Sequence, residues 1–76
     1  MGWARKGRKG AFRYYDQHGR EIRDPAKLDR VAQLAIPPAW RDVWISPSPR
    51  AKLQATGSDK ADRKQYLYHA DYRAAQ

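Results

Sequence analysis

Seventy-six residues hold one small domain, whose stability margin is on the order of 4–11 kcal/mol. Sixteen Lys and Arg against eight Asp and Glu leave a net charge of +8, while 41% hydrophobic and 12% aromatic residues exclude a disordered basic tail. The lack of cysteine excludes a disulfide framework, a thiolate metal site and a cysteine nucleophile, and no apolar run approaches the roughly 20 residues that span a bilayer.

No membrane partner is expected, then, and the absence of cysteine is compatible with a reducing cytoplasm. The charge points to a polyanion instead.

The first nine residues carry Arg5, Lys6, Arg8 and Lys9 among glycines and a lone Trp3. They read as a flexible basic arm, residues 1–9. From Phe12 to Asp16 the pattern alternates and is rich in strand formers. Gln17-His18-Gly19 is a tight turn, and Arg20–Arg23 is the returning strand of a short hairpin. Asp24 can cap the backbone N–H groups of a helix whose first position Pro25 suits. Leu28, Val31, Ala32 and Ala35 then mark its apolar face, with Lys27, Arg30 and Gln33 turned away, until Pro37-Pro38 stops it. Three strands follow as a meander: Asp42–Ser46, Lys52–Thr56 and Lys64–His69, the first two joined by a rigid Ser-Pro-Ser-Pro turn. The tail from Ala70 to Gln76 has helical propensity without a stop signal, which reads as a chain cut rather than finished.

No catalytic constellation emerges. His18 and His69 stand far apart without a ligand set, no glycine-rich phosphate loop opens a helix, and Ser46, Ser48 and Ser58 have no neighbouring base. No metal or cofactor is therefore expected.

The binding signal is stronger. Lys60, Arg63 and Lys64 lead into Gln65-Tyr66-Leu67-Tyr68. On a strand, Tyr66 and Tyr68 share one face, and Gln65, Leu67 and His69 the other. A core face of Val43, Ile45, Leu53, Ala55 and Leu67 would leave Trp44, Gln54, Thr56, Tyr66 and Tyr68 on the wet side. Such a polar-aromatic platform flanked by cations suits nucleic acid, because cations meet phosphates and hydroxyl and amide groups reach base edges. Gln65 joins it only if a bulge at the strand's start re-aims it. The plainer reading makes Tyr66 and Tyr68 half-buried sheet residues with satisfied hydroxyls, and Trp40 and Trp44 core or rim packing.

The linked motifs Ile36-Pro37-Pro38-Ala39-Trp40-Arg41-Asp42-Val43-Trp44-Ile45-Ser46-Pro47, Leu53-Gln54-Ala55-Thr56-Gly57 and Arg63-Lys64-Gln65-Tyr66-Leu67-Tyr68-His69 resemble one known family. It is the amino-terminal domain of bacterial and poxvirus-type type IB DNA topoisomerases, and the resemblance covers about residues 10–73. It implies an α+β fold: a small antiparallel sheet of about five strands with one or two short helices. Residues 10–69 would be the clamp domain, with 70–76 the start of a linker to an absent catalytic domain.

The resemblance implies further that the domain is half of a clamp around duplex DNA, with its sheet over the major groove. Arg63, Lys64, Gln65, Tyr66 and Tyr68 are the DNA-binding residues it assigns. The family cuts DNA through a 3′-phosphotyrosyl link, without ATP or an obligatory metal, and its nucleophile belongs to the carboxy-terminal domain. None of the five tyrosines here is thereby a nucleophile. The expected partners are duplex DNA and the catalytic domain of the same parent chain, and the expected state is a monomer in the cytoplasm at the nucleoid. Two rivals remain: a module stacking single-stranded DNA or RNA bases on Trp44, Tyr66 and Tyr68, and a domain docking its aromatic face onto another protein.

Overall fold

The structure, a computed structural model, describes residues 2–74, with side chains described through Tyr72. Trp3–Lys6 forms strand β1 and Arg13–Tyr15 strand β2. Helix α1 spans Pro25–Leu34. The meander follows as β3, Arg41–Ile45, β4, Leu53–Ser58, and β5, Lys64–Tyr68, and Ala70–Ala74 closes the described chain as helix α2. All strand pairs are antiparallel, in the order β2-β1-β3-β4-β5. The α+β class and the count of five strands and two short helices are those expected from the sequence, but Trp3–Lys6 is a strand in place of the expected Arg20–Arg23, which makes only an isolated bridge to β2.

The basic arm expected over residues 1–9 is instead, from Trp3 to Lys6, an interior strand of the sheet. The reason is alternation: Trp3 and Arg5 turn inward, while Ala4 and Lys6 turn outward. Trp3, 5% exposed, joins Ile22, Val31, Val43, Ile45 and Ala55 in the core. Arg5 donates to the carbonyl oxygens of Pro37 at 3.1 Å and Trp40 at 2.9 Å, satisfying the turn that two prolines leave without N–H donors. Burial lowers the Arg5 pKa, opposed by the neighbouring Tyr14. Of the tail expected to open a linker, residues 70–74 are helical, and Ala75 and Gln76 lie outside the described residues.

Helix α1 starts as its sequence dictates, with the Ala26 N–H donating to the Asp24 carboxylate at 3.0 Å. It ends at Ala35, whose φ of 53° is left-handed, one residue before the Ile36-Pro37-Pro38 stop. Its inward face differs from the expected one. Val31 is buried and Leu28 and Leu34 pack against the core, whereas Ala32 and Ala35 are exposed. Arg30 turns inward too: its guanidinium lies 5.0 Å over the Trp3 ring and donates to the Gln54 side chain and the Ser46 carbonyl. An aromatic face and two acceptors offset the cost of bringing that charge in.

In the upstream hairpin, the Asp16 carboxylate accepts from the His18 and Arg20 N–H groups, and Gly19 adopts a φ of 80°. The returning leg bridges β2 only at Glu21, then drops Ile22 into the core.

Candidate nucleic-acid interface

Cross-strand register lays two rows over the sheet, one on each face. On the face that α1 covers, Trp3 opposes Ile45, Ile45 opposes Ala55, and Ala55 opposes Leu67. One residue along, on the open face, the row runs Tyr15, Ala4, Trp44, Thr56 and Tyr66 through all five strands. Strand alternation thus separates a dry row from an aromatic one.

A second open-face row lies beside the aromatic one. Arg13 opposes Lys6 on β2 and β1, and Arg41 opposes Ser58, which opposes Lys64, on β3 to β5. An extra residue in β3 keeps Arg41 and Trp44 on the same face, because Asp42 takes a left-handed φ of 51° and absorbs the shift. The row therefore presents four cations along one end of the open face. Arg41 is partly engaged, with an exposed Asp62 carboxylate at 3.3 Å, a pairing that solvent weakens. Lys6 also lies 5.3 Å over the Tyr15 ring.

The five residues singled out from the sequence separate in the structure. Lys64, Tyr66 and Tyr68 face the open side, and Tyr66 is 51% exposed. The Tyr66 and Tyr68 rings stack with centroids 6.4 Å apart, and Tyr68 meets Tyr72 of α2 at 5.1 Å. Arg63 precedes the strand, is exposed, and brings its Nε to 3.4 Å from Asp59. Gln65 lies on the other face, half-buried and in register with Gly57. Pairing at the start of β5 is regular, so no bulge re-aims Gln65, and its amide donates to the Asp59 carboxylate at 2.8 Å.

The wet platform expected from the sequence is thus revised. Thr56 is on the open face but buried between its larger neighbours. Gln54, expected to be exposed, is 2% exposed. The register shift between Leu53 and Ala55 turns it toward α1, where it accepts from Arg30 and donates to the Ser48 carbonyl at 3.1 Å. The same shift moves Leu53, expected in the core, into register with Tyr68 and half-exposes it. Trp44 is half-covered, because Gly2 packs directly against its indole. Trp40 packs on the core side against Gly57.

Sequence reasoning missed Lys6, Arg13, Tyr15 and Arg41 as members of one surface. The signal was present but faint: Trp3-Ala4-Arg5-Lys6 alternates over too few residues to separate a strand from a charged tail.

No group of three or more His, Asp or Glu side chains among the described residues is arranged to hold a metal. The arrangement can neutralise phosphates and offer tyrosine hydroxyls.

Comparison with known proteins places the chain in a family. A DNA topoisomerase 1B of Acanthamoeba polyphaga mimivirus is 39% identical to the chain over 56 residues, which cover 74% of this chain but 16% of that protein's length. A family model described as bacterial DNA topoisomerase IB, N-terminal domain, matches residues 11–59, from the residue before Phe12 to the Asp59 that anchors the β4–β5 loop. With a match over more than half its length, the chain belongs to the family of bacterial DNA topoisomerase IB N-terminal domains.

Proposed function

We propose that the chain binds duplex DNA across its open sheet face, as the gripping domain of a type IB topoisomerase whose catalytic domain is a separate part of the parent chain. The observation that carries this reading is the row Arg13, Lys6, Arg41 and Lys64 beside the row Tyr15, Trp44 and Tyr66. Cations at that spacing meet phosphates, and hydroxyls beside them reach backbone or base edges. Affinity and register come from this face, and cleavage and resealing from the catalytic domain. The chain by itself binds without cutting.

Duplex is favoured over single strands by the covering of the rings. Stacking bases needs open ring faces. Trp44 is half-covered by Gly2, Tyr15 and Tyr68 are half-buried, and Tyr66 is the one large exposed aromatic among the described residues.

A fluorescence-anisotropy titration of labelled duplex at several salt concentrations tests the proposal. The four cations of that row by themselves predict a slope of log K against log salt of about −4, steeper with each further phosphate contact. Competition by unlabelled single strands should be weaker than by duplex, and supercoiled plasmid should stay supercoiled. Tighter binding to single strands would overturn the reading.

A further inference from the structure

The end of the sheet opposite the Arg13–Lys64 row carries a second cluster of charge. There the turn between β3 and β4 brings Arg50 and Lys52 beside His69 and Tyr72, around an open cleft of about 460 Å³. Two features build it. The His69 N–H donates to the Lys52 carbonyl at 2.8 Å, extending the β4–β5 ladder one step past Tyr68. The Lys52 ammonium lies 4.2 Å over the Tyr72 ring, which rests against Tyr68. A cation over a ring keeps N–H donors free for an anion. Neither Arg50 nor Lys52 makes an ion pair among the described residues, and the one carboxylate at the cleft, Asp71, is exposed and 3.8 Å from His69.

We infer that Arg50 and Lys52 form a second phosphate-binding site, which holds the DNA strand across the major groove from the strand held by Arg63 and Lys64. The inference rests on the duplex-binding reading above and adds a placement to it. From Lys64 to His69 an extended chain covers about 17 Å, at roughly 3.3 Å per residue. The major groove is about 12 Å wide. A strand whose two ends both carry cations therefore outreaches the groove, and its ends meet the two flanking backbones. Tyr66 and Tyr68, in the middle of that span, face the base edges. The continuous contacts from Tyr66 through Tyr68 and Tyr72 to Lys52 make the surface one piece.

Salt titrations of duplex binding by the 76-residue chain test this with the double variants Arg50→Gln/Lys52→Met and Arg63→Gln/Lys64→Met. Each pair is exposed, and each replacement keeps a long stem, so the melting temperature should hold. Each double variant should reduce the steepness of the salt slope by about two. Duplexes with neutral methylphosphonates in one strand then separate the two sites. Neutralising one strand should erase the defect of one variant, and neutralising the other strand that of the other. An unchanged slope for Arg50→Gln/Lys52→Met, with wild-type duplex binding intact, would overturn the second site and leave the duplex-binding reading standing. Both variants answering to the same strand would overturn the placement across the groove. Absence of duplex binding by the wild-type chain at low salt would remove both.

Discussion

The Gln65 side-chain amide donates to the Asp59 carboxylate at 2.8 Å, which keeps it on the helix-covered side of β5 while Tyr66 next to it faces out. The same carboxylate accepts from the Ala61 N–H at 2.9 Å and the Arg63 N–H at 3.0 Å. One side chain thus shapes the loop that delivers Arg63, Lys64 and Gln65. The Arg63 backbone N–H is the main cause of a lowered Asp59 pKa, with the Gln65 amide, the Ala61 N–H and the Arg63 charge adding to it and desolvation opposing it.

A carboxylate held below its ordinary pKa stabilises the fold above its unfolded value, about 3.9, and that contribution is lost as pH falls through the folded value. Asp59→Asn should therefore lower stability at neutral pH and flatten its fall below about pH 4. Chemical denaturation of both proteins across that range measures it, and parallel pH profiles would show that Asp59 holds nothing specific.

Tyr66 is exposed, so Tyr66→Ala should change stability by no more than about 0.5 kcal/mol. Tyr66→Phe with Tyr68→Phe removes the two hydroxyls and keeps the stacked rings. Duplex affinity should then fall about tenfold for each hydroxyl that reaches a phosphate or base, near 1.4 kcal/mol each. Anisotropy at fixed salt reads the change, and wild-type affinity would mean that neither hydroxyl reaches the DNA.

Arg30 is the link between α1, the Ser46 carbonyl and the Gln54 amide. Arg30→Ala leaves those buried acceptors without their donor and uncovers one face of Trp3, costing about 2–4 kcal/mol. In a domain of this size the melting temperature should drop by roughly 4–8 °C per kcal/mol. A drop no larger than that of a surface Lys→Ala control would place the group outside the folded network.

A β carbon at Gly57 would lie 2.7 Å from Cε3 of Trp40 and 3.2 Å from its Cβ. Gly57→Ala should cost about 1–3 kcal/mol by overpacking. Pairing it with Trp40→Phe should recover part of that loss, as urea midpoints would show.

Trp3 lies in the core, so removing residues 1–9 should abolish cooperative unfolding, whereas loss of a solvated arm would leave the melting curve unchanged. Trp3→Ala alone should cost about 3–5 kcal/mol, a large part of the domain's margin.

Where a few neighbouring residues decide the outcome, the chain could be read directly. Asp24 and Pro25 set the start of α1, and the alternation from Lys64 to His69 separated Tyr66 and Tyr68 from Gln65 and Leu67. The three linked motifs carried the family. Only the tertiary structure made Trp3–Lys6 an interior strand, because its partners in β2 and β3 lie about ten and forty residues away. Tertiary packing likewise turned Arg30 and Gln54 inward, since each satisfies the other only once α1 lies on the sheet. Propensity and alternation act over a few residues, whereas a row of side chains across five strands exists only after distant segments have met.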